Sequence, residues 1–280
     1  MIYDANETKL DELYGEMLGY CSGMLDMLKK ASSTIGHQKF PISFKVKDSN
    51  IRERLDCANT ELERHKILLQ SEESVLPMAQ MVFRYLLEDF CTYMEESIDN
   101  VVRFKPQVAF TLARKPIIDD IFMFMYLLHD KREALEFVYE DDSRKKDLGK
   151  QKDFDEYLCK ECSEIVGEET KDNFLFLLRH SEESYSIKSV CDKASHIITS
   201  RKSMRTGAGE LNFVFVNQEI IDFYTKQYCK IVPVVLIYAM QIIGKLLEDL
   251  FDVSVNNSVV LKVKNTFMDL LVQAIERDKE

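Results

Sequence analysis

The chain has 280 residues, of which 46% are hydrophobic and 30% charged, and its formal net charge is −11. This apolar fraction is sufficient for a packed core, and the acidic balance argues against broad binding to nucleic-acid backbones or anionic membranes. The 9 glycines and 5 prolines are too few for the many tight turns of an all-β fold. Composition therefore favours long helices.

The first predicted helix spans residues 7–33, where apolar residues recur at intervals of three and four positions. Asn6 is its predicted N-cap, and Gly36 is its predicted stop. Residues 40–46 alternate between apolar and polar side chains, which is typical of a short extended segment. Residues 50–72 are predicted to form one polar helix with a thin apolar stripe.

Prolines mark the predicted helices in the middle of the chain. Pro77 is predicted to open a helix over residues 76–100, because a proline in the first turn sacrifices no hydrogen bond. Pro106 opens the next helix, and Pro116 is expected to kink or split it. The second part, residues 117–128, is apolar on most sides and is the best candidate for a central helix.

The rest of the chain is predicted to hold shorter helices followed by two long ones. The charged residues 141–152 are a weak candidate boundary within an otherwise single domain of residues 1–280. The later helices are predicted at 152–165, 170–183, 185–198, 218–252 (interrupted at Pro233) and 257–277.

These elements together predict an all-α fold. We expect an irregular bundle of about eight to ten helices, with one short extended element at residues 40–46 or 213–216. The run 231–243 is apolar but covers only about two-thirds of a membrane-spanning length, so we predict a buried helix and no membrane association. The N-terminus resembles no signal peptide, and the odd count of seven cysteines indicates reduced thiols. We therefore expect a cytoplasmic protein.

Local motifs for catalysis and metal binding are sparse. The sequence contains no phosphate-binding loop, nucleophile elbow or dinucleotide-binding fingerprint, and no acidic residue precedes a histidine by three positions as in di-iron bundles. Three pairs have a spacing suited to metal ligands but lack the further ligands that a site needs: Glu61 with His65, Asp192 with His196, and Cys159 with Cys162. We therefore expect no metal and no cofactor.

Residues 127–130 end in a His-Asp step. It resembles the adjacent metal-binding pair of HD-type phosphohydrolases, and the resemblance implies metal ligation by His129 and Asp130. The nearest earlier histidine is His65, far upstream, and the Gly-Lys that commonly follows the pair is missing. The alternative, which we favour, is a helix C-terminus at which His129 and Lys131 stabilise the negative end of the dipole.

The strongest candidate for a ligand site is the segment 195–217. It holds two glycines within three positions and concentrates cationic and hydrogen-bonding side chains. Glycines allow the backbone to approach an anion closely, and arginines clamp phosphates or carboxylates. The candidate ligand-binding residues there are His196, Arg201, Arg205, Thr206 and Asn212. The alternative is a solvated loop whose basic residues offset neighbouring acids.

A second group of candidates, Arg114, Asp119 and Asp120, lies in the most apolar predicted helix. Charges in a buried helix must pair with each other or face a cavity. Pro116 distorts the five-residue spacing between Arg114 and Asp119. We interpret the group as an internal ion pair that positions the kinked helix; the alternative is a polar pocket that joins the ligand site.

Two hypotheses for function follow. The first is a helical interaction or assembly protein that acts through a protein partner or as a homo-oligomer. Its 12 methionines and 17 phenylalanines supply adaptable apolar surface, and the amphipathic ends at 7–33 and 257–277 pack together or across a dimer. The second is an enzyme or effector that binds an anionic ligand, such as a nucleotide, at 195–217. We place the first ahead and leave open whether the protein is an enzyme.

Overall fold

The computed structural model describes residues 11–37, 46–139, 187–195, 218–254 and 257–278. All regular elements in these ranges are helical, so the predicted all-α fold is confirmed, and no strand occurs within them. Several predicted features lie outside the described residues: the extended segments (apart from Val46), the helices at 152–165 and 170–183, and the boundary at 141–152.

The helices follow one another with short connections in the first half of the chain. In order they are α1 (Glu12–His37), α2 (Ser49–Cys57), α3 (Glu61–Leu68), α4 (Glu72–Val102), α5 (Pro106–Arg114), a π-helical segment (Lys115–Asp120), α6 (Ile121–His129), α7 (Lys131–Val138), α8 (Ile187–Ser195), α9 (Gln218–Phe251) and α10 (Asn257–Arg277). Helix α9 packs against α1, α4, α5, α6 and α10, while α5 packs against α4 and α8. The bundle is therefore organised around α9 and α4.

Helix α9 is buried along most of its length and is tied to its neighbours by a polar contact. The Ser97 hydroxyl of α4 donates to the Ala109 carbonyl of α5 at 2.8 Å and lies 2.6 Å from the Tyr228 hydroxyl of α9. All three groups are buried, so this contact satisfies polar atoms that would otherwise lose hydration without compensation. The contact fixes the relative positions of three helices.

Helix α9 also passes a length and composition test for crossing a membrane, alone among the helices of the described ranges. The run 231–243 belongs to a 34-residue helix, so the sequence argument that the segment is too short is wrong. Inside the protein, 72% of its most apolar stretch is buried, as expected for a core helix. Burial by neighbouring helices, rather than length, supports the interpretation as a core helix.

The prolines behave differently from one another. Pro106 occupies the start of α5, as predicted. Helix α4 begins at Glu72, so the prediction that Pro77 opens it is wrong; the missing N–H of Pro77 affects only the carbonyl of Glu73 in the exposed first turn. Helix α9 continues through Pro233, so the predicted interruption is also wrong. Burial of Pro233 among packed helices holds α9 together across the lost hydrogen bond.

Two predicted boundaries are corrected near the N-terminus. Helix α1 includes Gly36 and ends at His37, so Gly36 is not its stop, while the predicted cap Asn6 lies outside the described residues. The polar helix predicted over 50–72 is divided into α2 and α3. The cause is a capping box, in which the Thr60 side chain accepts from the Glu63 N–H at 3.1 Å and the Glu63 carboxylate accepts from the Thr60 N–H at 3.2 Å.

Helix α6 is the buried element predicted within residues 117–128. Its C-terminus shows how the adjacent residues His129 and Asp130 are placed. It ends at His129, and Asp130 is the N-cap of α7, accepting from the Glu133 N–H at 2.9 Å. The predicted helix C-terminus at His129 is therefore confirmed, whereas Lys131 is the first residue of α7 and pairs with Asp249 at 2.5 Å.

The two terminal helices pack against each other within one chain. The Tyr14 hydroxyl of α1 donates to the Asp278 carboxylate at 2.9 Å, and Arg277 pairs with Asp11 at 2.5 Å. The face of α10 turned towards the core carries Phe267, Leu270 and Ala274, which are buried. Intramolecular packing of the ends, one of the two predicted arrangements, is thus observed.

Candidate functional site

The structure describes one of the two groups of candidate residues. His196, Arg201, Arg205, Thr206 and Asn212 lie outside the described residues, so the site predicted at 195–217 stays a prediction. Arg114, Asp119 and Asp120 are described and lie together at the junction between α5 and α6.

This junction is the π-helical segment Lys115–Asp120, and Pro116 explains why it forms. Pro116 has no N–H to donate to the carbonyl one α-helical turn earlier, so the regular hydrogen-bond pattern is interrupted there. The carbonyl of Pro116 instead accepts from the N–H of Ile121, five residues on. The kink predicted at Pro116 therefore takes the form of a widened turn, a feature that is frequent at functional sites.

Arg114 pairs with two carboxylates at the start of this turn. Its Nε lies 3.1 Å from Asp192 Oδ1 on α8, and its Nη1 lies 3.8 Å from Asp119 Oδ2. The predicted ion pair between Arg114 and Asp119 is therefore present, but Asp192 is the closer partner. Because Asp192 is only 6% exposed, the charge-assisted hydrogen bond from Arg114 connects α5 firmly to α8.

Lys115 contacts α4 rather than α8. Its ammonium group forms an ion pair with Asp89 and lies 4.8 Å from the ring centroid of Tyr93. Asp89 and Tyr93 are four residues apart on α4, so they present one continuous surface to the ammonium group. Lys115 thus fixes the π-helical segment against α4.

Asp120 is the most deeply buried charged residue of this group, at 2% exposure. Its Oδ2 atom has no hydrogen-bond partner in the described part of the chain. Burial, and next the negative charge of Asp89, raise the pKa of Asp120 to about 7, against the opposing effect of Lys115. The Asp89 carboxylate also offers an acceptor to a protonated Asp120, which favours a proton on Asp120.

We call Asp89, Arg114, Lys115, Asp119, Asp120 and Asp192 the π-turn cluster. It contains four carboxyl groups and two cations, and both cations are already engaged by carboxylates. An anionic ligand at this position would have to compete with those carboxylates. Within the described ranges no group of three or more His, Cys, Asp or Glu side chains is arranged to hold a metal ion.

Sequence reasoning missed three members of the cluster, Asp89, Lys115 and Asp192, as partners of the predicted residues. Asp89 comes from α4 and Asp192 from α8, which are 26 and 78 residues away from the groups that they contact. The signal in the sequence was a charged side chain beside an apolar one, as at Asp89 next to Phe90. Which charges meet depends on how the helices pack.

The other proposed metal pairs are accounted for where they are described. His65 Nδ1 lies 2.7 Å from the backbone carbonyl of Glu61, and its ring stacks on Tyr139 with centroids 4.3 Å apart. The Glu61 carboxylate pairs with Arg64 at 2.7 Å. Of the remaining residues, Asp192 contacts Arg114, whereas His196, Cys159 and Cys162 lie outside the described residues.

Four of the five described cysteines are buried, and Cys57 is exposed. Burial raises the pKa of Cys91, Cys191 and Cys229 to about 12. Thiols with such pKa values carry almost no thiolate at neutral pH, so they behave as small apolar core residues rather than nucleophiles or metal ligands.

Helix α10 carries a second unusual feature, on its outer surface. Four large apolar side chains are exposed there, separated by seven, four and three residues: Leu261, Met268, Val272 and Ile275. At about 100° per residue, these positions fall within roughly 60° of one another around the helix. They form a continuous line about 21 Å long, which we call the α10 stripe.

Comparisons with protein-family models, with curated proteins and with solved structures gave no match for this chain. The two candidate features are the buried π-turn cluster and the exposed α10 stripe.

Proposed function

We propose that the protein is a helical assembly protein and that two copies associate through the α10 stripe. The observation that carries this proposal is the exposure of Leu261, Met268, Val272 and Ile275, which are 52%, 39%, 51% and 43% exposed. Single exposed apolar residues are ordinary, but four in line along one helix form the seam that helices use to bind each other. The stripe supports an interface with another helix.

Charge along α10 supports a second copy as the partner. A two-fold axis brings the same patch of both subunits together, and an axis crossing a helix makes the paired helices antiparallel. Lys262 lies near the beginning of the helix and Glu276 near its end, and both side chains are exposed. Antiparallel pairing brings Lys262 close to Glu276 of the partner subunit, which is electrostatically favourable.

Three of the four stripe residues are also placed symmetrically about Met268, whereas the position that mirrors Val272 is Lys264. Leu261 and Ile275 each lie seven residues from Met268 (268 − 261 and 275 − 268). In an antiparallel pair, Met268 therefore faces Met268 of the partner subunit, and Leu261 faces Ile275 of the partner subunit. The flexible methionine at the axis can adapt its shape to an identical neighbour.

The interface is expected to be of moderate strength. The stripe occupies one face of one helix, which places it at the small end of specific interfaces. We therefore expect a reversible dimer with a Kd on the order of micromolar rather than an obligate one. Within this proposal the protein acts in the cytoplasm without a cofactor, and the odd count of seven cysteines supports a reducing compartment.

A double substitution tests the proposal. Replacing Met268 and Val272 by aspartate places charges in the middle of the stripe, so association should weaken at least about 100-fold while the monomer fold persists. The measurement is native mass spectrometry and light scattering over a concentration series, with circular dichroism as the check on folding. The matched control is Tyr85→Asp, at a 64% exposed position on α4, which should dimerise like the parent chain.

The outcomes separate the hypotheses. A parent chain that stays monomeric at all concentrations, or a double variant that dimerises as tightly as the parent, contradicts assembly through α10. Extra mass on the parent chain that matches a nucleotide would instead favour an enzyme or effector with its ligand at 195–217.

A further inference from the structure

We infer that Asp120 and Asp89 share one proton and that this proton is a switch, whose loss loosens the π-helical segment from α4. The inference is independent of dimer formation through α10. It concerns two carboxyl groups, the buried Asp120 and the partly exposed Asp89, which have one cation, Lys115, between them.

Asp89 and Asp120 have a single cation, Lys115, between them, and this shortage of positive charge motivates the inference. Lys115 forms an ion pair with Asp89, and Arg114 is engaged by Asp119 and Asp192. With Asp120 protonated, one carboxylate faces one ammonium group, and the carboxyl O–H of Asp120 donates a hydrogen bond to the Asp89 carboxylate. With Asp120 ionised, two adjacent carboxylates compete for Lys115, and a buried charge remains poorly compensated.

The buried oxygen of Asp120 supports the protonated form. Asp120 is 2% exposed, and Oδ2 has no hydrogen-bond partner among the described residues. An ionised carboxylate has only acceptors, so Asp120 would meet Asp89 acceptor to acceptor. A proton turns one oxygen of Asp120 into a donor and makes the contact attractive.

The surroundings of Asp120 fix the sign of the effect. From α4 it faces Asp89, with Tyr93 beside Lys115, and within its own segment it faces Lys115 and Asp119. Helix α6 begins with the apolar residues Ile121 to Met125, which add no charge. The groups on α5 and α8 act on Asp119: Arg114 and Lys188 favour its ionisation, and Asp192 opposes it.

The pH window follows from the pKa of Asp120, which is raised from 3.8 to about 7. Because the folded state holds this proton more tightly than the unfolded state, the associated stability is fully present below the unfolded pKa. It declines as pH rises between the two values and is lost above about 7. The protein should therefore become less stable as pH rises from about 4 to about 7, with little further change at higher pH.

Movement of the π-helical segment can be transmitted to α8. Arg114 directly precedes the π-helical segment and pairs with Asp192 on α8, which ends at Ser195. Movement of the segment away from α4 therefore acts on the helix that leads into residues 195–217. Local opening of this kind is detectable as faster exchange of backbone amides.

The test compares the parent chain with Asp120→Asn. The asparagine amide donates to Asp89 as the protonated acid does, but it never ionises. The Tm of the parent should fall between about pH 4.5 and pH 7 and level off above that range, whereas the Tm of Asp120→Asn should change by less than half as much over the same range. Asp99→Asn, which alters an exposed carboxylate paired with Arg103 on the same helix as Asp89, is the control and should keep the full pH dependence of the parent.

A second measurement needs no variant. Carboxyl carbon NMR of the parent chain should show Asp120 titrating near neutral pH, with amide exchange in α5 and α8 accelerating over the same range after correction for intrinsic rates. Titration of Asp120 near the ordinary aspartate value would overturn the inference. So would an Asp120→Asn variant with the same pH dependence of Tm as the parent.

Discussion

The π-turn cluster and the α10 stripe depart from the usual distribution of residues in opposite directions. The cluster buries Asp120 at 2% exposure, whereas the stripe leaves Leu261 52% exposed. Proteins normally bury apolar side chains and hydrate charged ones. Each region therefore requires a compensating interaction. The buried acid Asp120 requires a bound proton, and the exposed face of α10 requires an apolar partner.

The difference also predicts how each region responds to mutation. Changes at the cluster should alter the stability of the monomer, because its groups contact three helices. Changes at the stripe should leave the monomer stable and alter association, because its side chains point away from the core. Stability of the monomer and strength of association should therefore respond to different substitutions.

The largest expected effect comes from two neighbouring residues on α10. Phe267 is fully buried and Met268 is 39% exposed. Phe267→Ala should reduce the free energy of unfolding of the monomer by about 3–5 kcal/mol, through lost burial and a cavity. Met268→Ala should change it by less than about 0.5 kcal/mol but weaken the dimer. Urea denaturation at concentrations below the dimer Kd measures both values.

Equal losses in the free energy of unfolding for Phe267→Ala and Met268→Ala would contradict the assignment of Met268 to an exposed surface. A loss of about 3 kcal/mol on Met268→Ala would mean that Met268 is a core residue and that the stripe is not free to bind a partner. Similar stability of Phe267→Ala and the parent would mean that α10 is not docked on α1 and α9.

A smaller effect is expected from the ion pair between α5 and α8. Arg114→Met removes the guanidinium group from the buried Asp192 and should destabilise the protein by about 1–2 kcal/mol, because Arg114 is itself 36% exposed and solvent screens part of the interaction. Arg103→Met is the matched control, because its pair with Asp99 at 3.6 Å is exposed on both sides. It should change the free energy of unfolding by less than about 0.5 kcal/mol.

Equal effects of the two arginine substitutions, measured by urea denaturation, would contradict the structural role of the π-turn cluster. The dimer Kd provides the complementary readout. Arg114→Met should leave it unchanged, since α5 does not contribute to the stripe.

The sequence predicted those elements whose pattern is local and strong. The 3.6-residue period placed α10 at 257–277, and Pro106 marked the beginning of α5. It failed for Pro77 and Pro233, where helix packing outweighs one lost hydrogen bond. The capping box at Thr60 was readable from the sequence but was overlooked in favour of one continuous helix.

The candidate site was predictable only in part. Arg114, Asp119 and Asp120 stood out because charges in an apolar helix require compensation. Their closest partners, Asp89 and Asp192, come from helices distant in sequence, and periodicity says nothing about which helices meet. The exposed side of α10 was likewise hidden, because an amphipathic pattern does not tell which apolar residues a neighbouring helix covers.

Cysteine cross-linking tests self-association through α10 most directly. In a chain with Cys57, Cys159 and Cys162 replaced by serine, Met268→Cys should form a disulfide-linked dimer on mild oxidation, because antiparallel pairing brings two copies of residue 268 within bonding distance. Leu261→Cys should cross-link only when mixed with Ile275→Cys, and Tyr85→Cys should remain monomeric. Absence of the Met268→Cys dimer, or equal cross-linking through Tyr85→Cys, would contradict assembly through the α10 stripe.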